Sequence, residues 1–374
     1  MGEKTFTKSS YTSAKSSYGI ESDTDVTYIA EQEAKKTGKL KPTVDPSVDA
    51  VRRSLVRFNP TDDGFIVTVG CPMDIESICD TTGSMGNNVD VAMKVLPQTY
   101  SLVSKVLPGY DPQLALGTFA DVSDDWVFQR PQFEMTAERI VEYLKDMVPE
   151  RRGGDSPEDP QYGLFGATFL TSTYTNSIGL KGYHFLISDA PGREYGLNSD
   201  GLIRVFGEDV FKRVADNDHQ LNKADIPSTS TKELVRHLSK RAHTFFLQVD
   251  DYPDARHFWT NVYGPDRVIS LPDTEYLPHV QAVIIGLTEG TLKIDDVKRF
   301  LIENNLSEKT ADKITQAVSN VPLGEQAKLR EKLGHSVPKV GDIFRNKSDL
   351  WPIGPSESIS SEPTEPEKSP SGWL

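Results

Sequence analysis

The sequence predicts an α/β fold: a doubly wound, mostly parallel sheet with helices on both faces. Three observations carry that expectation. Strand-like runs at Met73–Cys79, Gln113–Phe119, Tyr183–Ser188 and His243–Val249 have the apolar character of strands buried at a parallel-sheet centre. Between them stand segments with apolar residues three and four apart, the period of a helix with one buried face. The first run ends at Asp80 and turns through Thr82-Gly83-Ser84 into such a segment, at the strand end where open α/β sheets bind their ligands.

In chain order, residues 1–47 are rich in Ser, Thr, Lys and Glu and repeat Lys-Ser-Ser-Tyr, a composition too polar to fold alone, so a disordered tail is expected. Val48, Val51 and Leu55 suit a short helix, and Gly64–Val69 an edge strand leading into the domain. Val89, Met93, Leu96, Tyr100, Val103 and Leu107 mark the first full helix, which Pro97 should kink or split. Trp126–Phe133 reads as an antiparallel edge strand, and Thr136–Val148 as a helix capped by Thr136. Gly153-Gly154 permits a sharp turn, after which Pro157, Glu158 and Asp159 suit the first turn of another helix, the acids as dipole partners. His184, inside an apolar strand, is expected to pack in the core. Residues 191–241 form a long connection, read as a lid or docking surface because it starts beside the candidate site. Residues 291–340 read as a helical appendix of short amphipathic segments. Residues 341–374 carry five prolines and four glutamates after Trp351 and read as a disordered acidic tail.

The chemistry concentrates on Asp80-Thr-Thr-Gly-Ser84. Asp80 offers a carboxylate; Thr82 and Ser84 offer hydroxyls. Such hard oxygen donors suit Mg²⁺ or Mn²⁺. With Gly153-Gly154-Asp155 and Phe185-Leu-Ile-Ser-Asp189 following in order, the chain resembles a von Willebrand factor A (vWA) domain over roughly residues 65–290, within a domain spanning 48–290. The subtype it is most similar to has Gly-Gly-Asp-x-Pro-Glu-Asp as its second motif. The resemblance implies a metal-ion-dependent adhesion site with ligands Asp80, Thr82, Ser84, Asp155 and Asp189, and reversible binding of a protein partner. The better-known adhesion receptors have a threonine where this chain has Asp155. Three carboxylates around one cation would hold it more tightly, with Arg151 and Arg152 offsetting charge; alternatively Asp155 orients a metal-bound water. Asp121, at a strand end, and Glu158 are further candidates for the surroundings of the metal or for partner contact.

A net charge of −14 argues against nucleic acid and anionic membranes as partners. Cys71 and Cys79 are read as small buried hydrophobes, not a disulfide framework, and no run has the length of a membrane span. These features lead to the expectation of a cytoplasmic protein. No nucleophile–base pair and no phosphate-binding loop stand out. A metal-dependent binding or scaffold module is therefore expected, with a metal-dependent hydrolase and a component carrying a purely structural metal as alternatives. The helical appendix or the acidic tail offers a second contact.

Overall fold

The computed structural model describes residues 8–17, 23–47, 58–61, 64–67, 71–108, 110–150, 156–177, 179–217, 226–333 and 343–344. Six strands form the central sheet: β1 (Cys71–Asp80), β2 (Tyr110–Phe119), β3 (Phe128–Gln129), β4 (Gly182–Ser188), β5 (Ala242–Gln248) and β6 (Val268–Ser270). Their spatial order is β3-β2-β1-β4-β5-β6, all parallel except β3, which runs antiparallel to β2 with Phe119 opposite Phe128. The fold is a doubly wound, vWA/Rossmann-like α/β sheet. β1 and β4 are central, and the order of connection reverses between them, the switch point beside which open α/β sheets place their ligands.

Alternation along the strands builds one core on each face. Ile75, Cys79, Phe185, Ile187, Phe245 and Leu247 face the first, against helices α1 (Asn88–Val95), α2 (Thr99–Val106) and, from near the end of the chain, Leu277–Glu289. Ile78, Leu186 and Phe246 face the second, against α3 (Gln161–Phe169), α4 (Ser199–Phe206), α5 (Thr231–Leu238) and α6 (Pro253–Tyr263). Each fully buried side chain of this kind contributes about 1.5–3 kcal/mol relative to exposure. Pro97 splits the expected long helix: α1 ends at Val95, a single 3₁₀ turn spans Leu96–Gln98, and α2 begins at Thr99. Thr136 caps the helix Ala137–Asp146 by accepting from Arg139 N. His184 is buried, and desolvation pushes its pKa down to about 3, so it is neutral in the core.

Four regions differ from expectation. The N-terminal stretch carries two helices, Lys8–Ser17 and Asp23–Thr37, with Ala14, Ala30 and Ala34 buried. Val44, following them, is buried in the first core, and its carbonyl accepts from Arg130 N. Gly64–Val67 is not an edge of the central sheet. It pairs with Phe58–Thr61 and Ile343–Phe344 in a separate antiparallel sheet. The long connection supplies α4, Val210–Asn217 and α5, whose Leu202, Phe206, Val210, Val214, Ile226 and Leu234 lie in the second core. It forms a layer of the domain, because amphipathic helices of this kind must cover apolar surface. Likewise Val297, Leu301, Ala311, Ile314, Val318 and Val321 of the expected appendix belong to the first core. The helix over Val48–Leu55 and the tail beyond Phe344 lie outside the described residues.

The last helix among the described residues, α7 (Glu325–Leu333), is tied to the sheet by Glu325, which accepts from Arg267 Nη2 at 2.6 Å and faces His243 Nδ1 at 3.2 Å. The His243 hydrogen bond first, and Arg267 with it, hold the Glu325 carboxyl well below the ordinary value, at about 2. A depressed folded-state pKa contributes stability above the unfolded-state value, and that stability is lost as pH falls toward 2. Glu325→Gln is accordingly expected to lower Tm by about 1–2 °C at neutral pH, a small effect because the pair is partly solvated. Thermal melts across pH should show the difference from wild type shrinking below about pH 4.

Candidate metal centre

The C-terminal ends of β1 and β4 bring the motif residues together. Asp80 ends β1 and is fully buried. The chain then turns through a 3₁₀ turn, Gly83–Met85, so that Thr82 folds back: its amide and its hydroxyl both donate to Asp80 Oδ1, at 2.8 and 2.7 Å. The Thr82 and Ser84 hydroxyls lie 3.3 Å apart, and Ser84 Oγ donates to Asp189 Oδ1 at 2.9 Å. Asp189 is the first residue beyond β4. The residue before it, Ser188, donates to Asp80 Oδ2 at 2.6 Å and so closes a ring of hydroxyls and carboxylates across the two loops.

The site's acids are crowded. Burial pushes Asp80 up to about 7, with Asp189 adding to the rise; what opposes it is the hydrogen bonding from Ser188 and Thr82. Asp189 is raised by burial, with Asp250 contributing. Glu158 does not serve as a simple dipole partner of the next helix, which begins only at Gln161. Its backbone pairs with the loop after Asp189, receiving Arg193 N at 2.9 Å and donating to Pro191 O at 3.0 Å. Its side chain turns inward, with Oε1 3.3 Å from Thr82 Oγ1. Burial, Asp80 and Asp121 push Glu158 up to about 9. Asp121 thus lies within electrostatic reach of the site while its backbone amide takes part in a turn with Asp124. Asp155, Arg151 and Arg152 lie outside the described residues.

The donors are hard oxygens, the kind a Mg²⁺ or Mn²⁺ ion takes, and buried carboxylates raised by desolvation are what a cation would stabilise in ionised form. Among the described residues, no three Asp, Glu, His or Cys side chains are gathered closely enough to hold a metal by themselves. The described set is hydroxyl-rich, with Thr82 and Ser84 filling the space between two carboxylates.

Three supporting contributions escaped the motif reading. Ser188 is signalled only by its place before Asp189. Trp259 on α6 is fully buried, stacks on Phe246 with ring centres 4.5 Å apart, and donates from Nε1 to the carbonyl of Ala190 at 2.9 Å. It pins the residue next to Asp189, and no local pattern reveals that reach. Asp159, also fully buried, pairs with Arg193 Nε at 3.0 Å and accepts from Val122 N at 2.9 Å, tying three loops of this rim. Cys79 is a buried free thiol, its pKa raised by the same burial.

No protein-family model matches the sequence, and no curated protein sequence matches it. Solved structures are similar over part of the chain, at low identity and low TM-score. Proximal thread matrix protein 1 from the mussel byssus, with a zinc-occupied MIDAS motif, is 13% identical, with 59% of this chain and 46% of that one covered and a TM-score of 0.37. The pilus adhesin SpaC from Lactobacillus rhamnosus GG is 14% identical (62% and 33% covered, TM-score 0.40). The vWF domain of the type V pili tip protein Mfa5 from Porphyromonas gingivalis is 13% identical (58% and 95%, TM-score 0.37). The neighbours include vWA domain proteins. The chain spans less than half the length of the mussel protein, and at these scores the likeness carries no argument about what this chain does. The cytoplasmic expectation is not upheld: the similar solved structures are of a byssal matrix protein and pilus proteins. Among the described residues, no helix is long and apolar enough to cross a membrane.

Proposed function

We propose that the C-terminal rim of the sheet is a divalent-cation site through which the chain binds a protein partner. Asp80, Thr82, Ser84, Asp155 and Asp189 would hold Mg²⁺ or Mn²⁺, with Asp121 and Glu158 close by. The observation that carries this reading is the hydroxyl-bridged pair Asp80 and Asp189, delivered from two neighbouring parallel strands and joined through Thr82 and Ser84. A bound cation there supplies a positive point at which an oxygen of a partner completes the coordination. Asp80 and Asp189 would carry its countercharge, Ser188 and Trp259 would fix them, and the Asp159–Arg193 pair would keep the loops in register.

The rim also carries two exposed aromatics. Tyr195, in the loop after Asp189, is 62% exposed, and Tyr252, in the loop after β5, is 54% exposed. Tyrosine is favoured at binding surfaces because it offers contact area at low entropy cost. Catalysis is less well served. Ser84 and Ser188 donate to carboxylates rather than to an imidazole, and His184, on the strand that ends in Ser188, is neutral and buried in the core beside Glu76.

The test is affinity capture from native extract with and without chelator. A specific partner should be retained in Mg²⁺ and released by chelation, and Tyr195→Ala or Tyr252→Ala should each weaken retention by roughly tenfold. Turnover of a generic phosphoester or ester with Mg²⁺ or Mn²⁺, lost in Asp80→Ala, would favour the hydrolase instead. A fall in Tm on chelation with no partner lost would leave only a structural metal. Comparing Mg²⁺ affinity of wild type and Asp155→Thr separates a third ligating carboxylate from a water-orienting one, since only the former should weaken binding markedly.

A further inference from the structure

The opposite edge of the sheet, where β4 and β5 begin, holds a groove of contrary charge. Its deeper part encloses 640 Å³ between the end of α3, the segment Thr171–Asn176 and the end of α5. Its shallower part encloses 390 Å³ along α7. Lys181 and Leu329 line both parts, so the two are continuous. In a chain of net charge −14, the cations lining this groove are Lys181, Lys240, Arg241, Arg267, Lys328 and Lys332, and the lining carboxylate is Glu325. Glu325 is already neutralised by Arg267. The floor is rigid: Arg241 is held by the carbonyls of Thr168 and Thr171, and Lys181 Nζ by the carbonyl of Ser239 at 2.6 Å. Lys240, Lys328 and Lys332 stand along the lip. The shape is elongated and the polarity basic, which suits an extended acidic peptide better than a compact anion.

We propose that this groove binds an acidic peptide segment, and that its occupant is the chain's own stretch 357–367. That stretch holds Glu357, Glu362, Glu365 and Glu367 with no basic residue among them, and Pro363 and Pro366 favour an extended backbone. α7 forms one wall of the groove, and beyond it the chain is held at Ile343–Phe344 in the separate sheet before it runs on to this stretch. Glu357 lies thirteen residues beyond Phe344, a reach of about 43 Å at about 3.3 Å each. A tether of this kind holds the segment at an effective concentration on the order of millimolar, so weak ion pairs suffice. The inference does not depend on the cation site.

Zero-length carbodiimide coupling of Lys to Glu in the full chain, mapped by mass spectrometry on the monomer fraction, tests it. Links from Glu357, Glu362, Glu365 or Glu367 to Lys240, Lys328 or Lys332 should exceed links to lysines outside the groove, such as Lys298 and Lys313, by about fivefold, and should fade at high salt. The double charge reversal Lys240→Glu with Lys332→Glu, both at the lip, should remove the preference while leaving the melting profile in place. Links spread evenly over surface lysines would overturn the proposal. Groove links confined to the dimer fraction would also overturn it, by making a second copy the occupant.

Discussion

Trp259→Ala is expected to destabilise the protein by about 3–5 kcal/mol, the usual cost of emptying a large buried aromatic site. The indole is fully buried and contacts Phe246, Phe258 and Tyr263, so the vacated volume cannot collapse without moving α6 off the sheet. Urea unfolding should report the loss as a lower midpoint with an unchanged slope. Trp259→Phe separates packing from positioning. It keeps a ring over Phe246 but removes the N–H that holds the Ala190 carbonyl. That change is expected to cost only about 1 kcal/mol in stability, yet to weaken cation binding because the residue beside Asp189 is released. An unaltered cation affinity would assign Trp259 to packing alone.

Asp80→Asn is expected to lower Mg²⁺ or Mn²⁺ affinity at least about 100-fold, as loss of a charged ligand from a hard-cation site should. Isothermal titration reads this directly. The accompanying stability change should have the opposite sign from what removal of a hydrogen-bonded side chain normally brings. With chelator present, the wild type buries a carboxylate that desolvation disfavours, whereas the amide oxygen still accepts from Thr82 without a charge. The variant should therefore melt no lower than wild type without cation, and only the wild type should gain stability when cation is added. Equal gains in both proteins would place the ion elsewhere.

The parts of the fold that announce themselves in the sequence are those set by local period. Apolar runs marked β2, β4 and β5, and Pro97 marked the break between α1 and α2, because a missing N–H and a ring clash act within one helical turn. The meeting of Asp80, Thr82, Ser84 and Asp189 was legible for a related reason: strand ends in a parallel sheet share one rim. What was illegible depends on reach across the chain. Glu158 read both as a first-turn acid and as a candidate neighbour of the metal, and what decides between them is the pairing of its backbone with Pro191 and Arg193, which turns its side chain into the site. The polar N-terminal stretch could not reveal that Ala14, Ala30 and Ala34 would find apolar surface on the domain. The segments after Gly290 are short and amphipathic, and their sequence does not say which surface they cover.

That last feature bears on how the module can be handled and inherited. The helices Val297–Glu303 and Glu308–Ala317 seal the same interior that the sheet builds, with Leu301 and Ile314 wholly enclosed. A piece ending at Glu289 would carry the complete rim and all six strands, yet expose a wide greasy flank to water. The rim is therefore not transplantable without these helices; any fusion or excision that keeps the fold must travel with residues through at least Val321.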